Sequence, residues 1–193
     1  MRRPGSGLIV LALSLCVSAA TAQSPDDNPE PLPDEARKRL VYAVGEWSVR
    51  TEFLDPDGKV RSVEESTHEA HFSIPGRLVE LTSRTPSTGT GVAWLFYNVQ
   101  EGMFYLTSVD RSGDHWVMTG GLDRYVLTSR PKALEDGSTL TARLTTMNMT
   151  ADAYETRMEV SLNDGASWKT VFRQTITRRA GARLPDEKKG GPG

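Results

Sequence analysis

The sequence contains one cysteine, Cys16, and only three histidines in 193 residues. One cysteine cannot build a disulfide framework within the chain. Nothing approaches the ~20 consecutive apolar residues of a membrane-spanning helix; the longest run, Leu8 to Val17, has roughly ten. There is no block of like charge either. Lys and Arg number 23 against 25 Asp and Glu, a formal charge of −2, and the two signs are interleaved. Phosphate backbones are therefore poor partners, and nucleic acid is not expected. No phosphate-cradling Gly-Lys loop, no dinucleotide fingerprint and no Gly-x-Ser-x-Gly elbow occurs. The glycines are spread over turns.

What the N-terminus does contain has the order of an export signal. Arg2 and Arg3 precede the apolar run, and Ala20-Thr21-Ala22 offers a small-x-small cleavage site. Residues 1–22 are read as a signal peptide, and the protein as periplasmic or secreted, with no membrane span after cleavage. Cleavage would also remove Cys16, and with it any thiolate chemistry, and would take the formal charge to −4 with Arg2 and Arg3 gone. Residues 23–33, rich in Pro and acid, read as a flexible linker, and residues 180–193 as a disordered tail.

The folded part, 34–179, opens with a short helix. Pro33-Asp34-Glu35 suits a helix start, Ala36, Leu40 and Ala43/Val44 repeat at helical spacing, and Gly45 ends it. Then the period changes to two. In Gly45-Glu46-Trp47-Ser48-Val49-Arg50-Thr51-Glu52-Phe53 the residues Trp47, Val49, Thr51 and Phe53 share one face, the mark of a half-buried strand. Turn signals recur every eight to fifteen residues from there, among them Asp55-Pro56-Asp57-Gly58, Pro75-Gly76 and Asn163-Asp164-Gly165. Thr85 to Gly91 reads as a loose polar loop. Val92 to Tyr97 is apolar on both faces, which leaves open which face is inward and suggests an interface. About ten strands result, joined in sequence by short turns. The expected fold is all-β, an antiparallel up-and-down barrel with one short N-terminal plugging helix.

Gly45-x-Trp47 on a first strand after a short helix resembles the opening signature of lipocalin-type barrels. In that superfamily an Arg of the last strand lies across the Trp. The resemblance implies that Arg178 stacks on Trp47 and seals the barrel floor. The last strand is read with Trp168, Thr170, Phe172, Gln174, Ile176 and Arg178 on one inward face. From about Leu40 to Arg178 the chain is also similar to a bacterial family of exported, lipocalin-like barrels classed as a domain of unknown function. Ile74-Pro75-Gly76-Arg77, Phe96-Tyr97-Asn98 with Val109-Asp110, and Ser161 to Gly165 through Trp168 to Thr177-Arg178 carry that similarity. It implies a fold and an exported location, and no activity. Heme-binding relatives of the architecture use a His near the chain's end; nothing from Trp168 onward is His, so heme is not expected.

Candidate ligand-binding residues are the inward aromatics and their polar company: His68, Phe72, Phe96, Tyr105, Trp116, Met118, Tyr154 and Phe172. His68 and His71 stand three apart on a strand and point to opposite faces, so they cannot chelate one metal ion. No metal, cofactor or catalytic residue is assigned. Three readings stay open: a carrier of a small apolar ligand, an envelope interaction module dimerising through 92–97, and an isomerase- or cyclase-type enzyme. The last would need one buried acid, with Glu52, Glu80 and Asp110 as candidates by position.

Overall fold

A computed structural model describes residues 30–180. Residues 1–22, read above as a signal peptide, most of residues 23–33, read as a linker, and nearly all of residues 180–193, read as a tail, lie outside the described residues. The helix α1 spans Asp34–Ala43, with Asp34 and Glu35 in its first turn. It stops one residue before the expected end: Val44 is already extended, and Gly45 belongs to the first strand.

Eleven strands follow: β1 (Gly45–Leu54), β2 (Val60–Ile74), β3 (Leu78–Thr85), β4 (Gly89–Asn98), β5 (Met103–Val109), β6 (His115–Gly121), β7 (Val126–Ser129), β8 (Lys132–Ala133), β9 (Thr139–Met147), β10 (Ala153–Ser161) and β11 (Lys169–Arg178). Every pairing is antiparallel. Ten strands run around the barrel in sequence order, and β11 returns to β1, so no edge is left open. The extra strand is the two-residue β8, which pairs only with the start of β9. The fold is therefore the expected all-β barrel with one short helix.

Period-two alternation decides which residues enter the barrel, and the cross-strand register carries the choice from strand to strand. Trp47, Val49 and Thr51 are buried. Their partners on β2 are His68, Ser66 and Glu64, and those on β11 are Arg178, Ile176 and Gln174. The same bookkeeping settles β4. Leu95 and Tyr97 face inward beside Val79, Leu106 and Phe104, while Val92, Trp94 and Phe96 face outward. Two expectations fail here. The Thr85–Gly91 stretch is not a loose loop: Gly89, Thr90 and Gly91 pair with Thr85, Arg84 and Ser83, leaving a tight reversal at 86–88. The single face assigned to the last strand is also broken. Met158 pairs with Phe172 and Glu159 with Thr170, so Val171 is an extra residue, a bulge that reverses the alternation. Trp168 consequently lies on the outer side, where the Arg143 guanidinium stacks 4.2 Å from its ring centre.

The closed end of the barrel is built by α1 and by the beginning of β1. Ala36 and Leu40 are fully buried against Ala70, Val79, Tyr97 and Phe104. Arg39, which the apolar spacing of the helix does not reveal, is buried with them. Its guanidinium sits 4.4 Å from the Phe104 ring centre and 4.9 Å from that of Tyr125. Burial lowers its pKa to about 10, so it remains a cation at neutral pH and binds both ring faces.

Candidate functional site

The barrel interior is tiered. At the floor, the Arg178 guanidinium lies 4.1 Å from the Trp47 ring centre, and Tyr154 meets that ring edge-on at 5.2 Å. The Trp47 indole N–H donates to the Ala43 carbonyl at 3.1 Å, so the ring's polar edge is satisfied at the end of α1. Arg178 donates through Nε to the Ala151 carbonyl at 2.7 Å and through Nη1 to the Val44 carbonyl at 3.0 Å. This explains the glycine two residues before the tryptophan. A Cβ on Gly45 would lie 2.0 Å from Arg178 Nη1, and its φ of +138° is one that side chains disfavour.

Above the floor runs a polar belt. The Gln174 amide nitrogen donates to Thr51 Oγ1 at 3.2 Å, and Thr156 Oγ1 donates to the Gln174 carbonyl oxygen at 2.9 Å. The belt joins β10, β11 and β1 and satisfies its own polar atoms, which a buried amide requires.

Beyond the belt, toward the end away from α1, the interior is not filled. A cavity of about 320 Å³ opens against β5, β6, β9, β10 and β11. Leu106 and Ser108 line it from β5, and Trp116 and Met118 from β6. Leu140, Ala142 and Leu144 come from β9, Met158 and Val160 from β10, and Val171 and Phe172 from β11. Ser108 is the only hydroxyl-bearing side chain among them. The bulge matters here, because it turns both Val171 and Phe172 toward the cavity. Beside it, Ser129 Oγ accepts the Ala142 backbone N–H at 2.9 Å, which replaces a ladder bond where β7 ends. The wall therefore stays closed without a bulky side chain.

The residues singled out from sequence divide into three groups. Trp116, Met118 and Phe172 line the cavity. Phe72, Tyr154 and His68 face inward elsewhere: Phe72 packs in the core under α1, Tyr154 belongs to the floor, and His68 lies between Trp47 and Ser83. Phe96 and Tyr105 are a correction. They stack on each other at 5.2 Å on the outer face, and the Tyr105 hydroxyl donates to Glu101. The reason is register: Tyr97 and Phe104, one position away on each strand, take the inward places. Sequence reasoning missed most of the aliphatic wall, Leu140, Ala142, Leu144 and Val160. Alternation on β9 and β10 marks them as inward, but nothing in it marks them as lining a void.

Burial lowers the His68 pKa to about 4, so the ring is neutral at neutral pH. His71, three residues on, is exposed on the opposite face. The acids considered for catalysis are all elsewhere than in the cavity wall. Glu52 bridges Arg50, and Glu80 accepts the Trp94 indole N–H at 3.1 Å. Asp110 is held below the usual carboxylate range by hydrogen bonds, chiefly from the Ser112 hydroxyl. The one buried acid among the described residues, Glu159, is likewise held down, by Arg143 at 2.8 Å. Its side chain lies outside the barrel.

No protein-family model matches the chain, and no curated protein matches it.

Proposed function

We propose that this protein is an exported, lipocalin-like barrel that binds a small apolar molecule in its interior. The observation that carries this reading is the cavity of about 320 Å³, walled by aliphatic side chains, two methionines, Trp116 and Phe172. That volume falls at the lower end of the range typical of ligand sites. An interior built only for stability would close such a void, since each unfilled volume costs packing energy. Soft Met118 and Met158 suit a site that adapts to its occupant's shape. Binding needs no chemistry from the wall: transfer of an apolar body from water drives it. The exported location rests on the N-terminal signal pattern, and the lipocalin-like assignment on Gly45, Trp47 and Arg178.

The test is native mass spectrometry of the protein recovered from the compartment to which its own leader delivers it. A reproducible adduct of a few hundred daltons, lost in Ala142→Phe, supports the reading and identifies the cargo. A bare protein that also fails to take up an added apolar fluorophore overturns it. A second reading has its own observation. Val92, Trp94 and Phe96 face outward beside the half-buried Tyr105, and Val117 is 37% exposed. This surface would serve as a dimer seam, in which case Trp94→Glu splits a dimer seen by sedimentation.

A further inference from the structure

We infer that the ligand is an uncharged apolar molecule bearing a carbonyl oxygen, of the ketone or ester class, which accepts hydrogen bonds from Ser108 and Trp116. The inference rests on the binding reading above and specifies its chemistry. A smaller hollow of about 210 Å³ adjoins the apolar cavity, and Ser108 and Trp116 line both. The two residues are direct cross-strand partners on β5 and β6, so their side chains stand side by side on the inward face.

Each carries a hydrogen-bonding group that the protein leaves unused. Nothing among the described residues pairs with the Ser108 hydroxyl or the Trp116 indole N–H. The side-chain atoms that are both sealed in and unpartnered belong to Arg157 and Arg178, so these two groups reach open space. Comparable groups elsewhere are spent. The Ser83 hydroxyl donates to the Gly91 carbonyl at 3.3 Å, and Ser129 Oγ accepts the Ala142 N–H. The indoles of Trp47 and Trp94 donate to the Ala43 carbonyl and the Glu80 carboxylate. Two free donors side by side in an apolar wall are matched by one oxygen with two lone pairs. An alcohol fits less well, because its own proton would be left over. Charge of either sign is disfavoured. No Lys, Arg or His lines either hollow to meet an anion, and Asp110 and Asp114 in the smaller one would repel it. A cation finds both carboxylates engaged, Asp110 by the Ser112 hydroxyl at 2.6 Å and Asp114 by Lys132 at 2.9 Å.

Three probes of one chain length separate the possibilities: 2-octanone, 1-octene and octanoate, each titrated into the full chain to displace an apolar fluorophore. Ser108→Ala should weaken 2-octanone about fivefold, the worth of one hydrogen bond, and leave 1-octene unchanged. Trp116→Phe, which keeps a ring and loses the N–H, should do the same. Ser108→Thr, which keeps the hydroxyl, should not. Octanoate should bind the parent chain more weakly than 2-octanone does. If the two substitutions weakened both neutral probes equally, or neither, the inference would be overturned and the apolar-cavity reading left standing. Tighter binding of octanoate would overturn it also. Failure of all three probes to displace the fluorophore would remove the cavity reading, and this inference with it.

Discussion

The two ends of this barrel each carry a tryptophan and do opposite things with it. At the floor a tryptophan, a tyrosine and an arginine interlock, with Trp47 fully buried and every neighbour in contact. At the mouth a tryptophan, a phenylalanine and two methionines stand around a void. The difference is the number of directions from which each aromatic is covered. Trp47 is approached from β1, β10, β11 and the end of α1 at once, so its faces and its indole N–H all find partners. Trp116 lies at the end away from α1 and lines a cavity of about 320 Å³. A plug, rather than the barrel wall itself, decides whether an interior is core or container.

That comparison predicts unequal responses to substitution. The largest should come from Trp47→Ala, which removes the keystone of the floor and should cost about 3–5 kcal/mol in chemical denaturation. It would also leave Arg178 buried without its aromatic partner. Trp116→Ala should cost far less stability while abolishing uptake of an apolar probe. If both variants lost equal stability, the distinction between the ends would fail.

Next comes acid. The folded state holds the His68 pKa at about 4 against an ordinary 6.5, so as pH falls the unfolded chain takes up the proton first. The stability due to neutral His68 is complete above pH 6.5 and is lost progressively toward pH 4, by about 3 kcal/mol. The residues paired with His68 across the strands, Trp47 and Ser83, carry no charge to offset this. Urea midpoints at pH 7 and 4.5 should therefore diverge less in His68→Gln than in the parent. An unchanged difference would show that His68 does not titrate as its burial implies.

A matched pair of substitutions sharpens the contrast further. Ala36→Leu adds volume under the helix, where the core is full, and should destabilise by about 1–3 kcal/mol. The same change at Ala142 adds volume beside the cavity and should stabilise by about 0.5–2 kcal/mol while reducing probe uptake. Opposite signs for the identical exchange are the expected result, and equal losses would mean that the cavity closes in solution. The smallest effect belongs to the outer wall. Phe96→Ser should cost less than about 1 kcal/mol, the worth of one surface ring stack. Probe affinity should stay within about twofold, because the ring never reaches the lumen.

Local pattern carried much of this molecule. The switch from helical spacing in 36–44 to period two from Gly45 marks the helix and the first strand. The turn signals separate the strands, and their short spacing argues for a closed antiparallel wall. Gly45, Trp47 and Arg178 were legible as a set only through the resemblance to lipocalin-type barrels, since no local pattern joins residues so far apart in the chain. The candidate site was only partly legible. Trp116, Met118 and Phe172 stand on clean alternations and point where their strands say. Phe96 and Tyr105 do not, since Val92 to Tyr97 is apolar at every position and its period cannot say which half is inside. Only pairing with β3 and β5 decides that.

The sequence by itself determined the strand order and the exposed and buried halves of most strands. Those depend on residues a few positions apart or on one register. Tertiary structure alone decided where the interior is empty. A void is a difference between the space enclosed by five strands and the side-chain volume they deliver into it. Its terms here, Leu106, Ala142, Val160 and the bulged Val171, come from strands spread over most of the barrel. No single stretch of chain contains that sum, and the bulge that turns Val171 inward exists only in the pairing of β10 with β11.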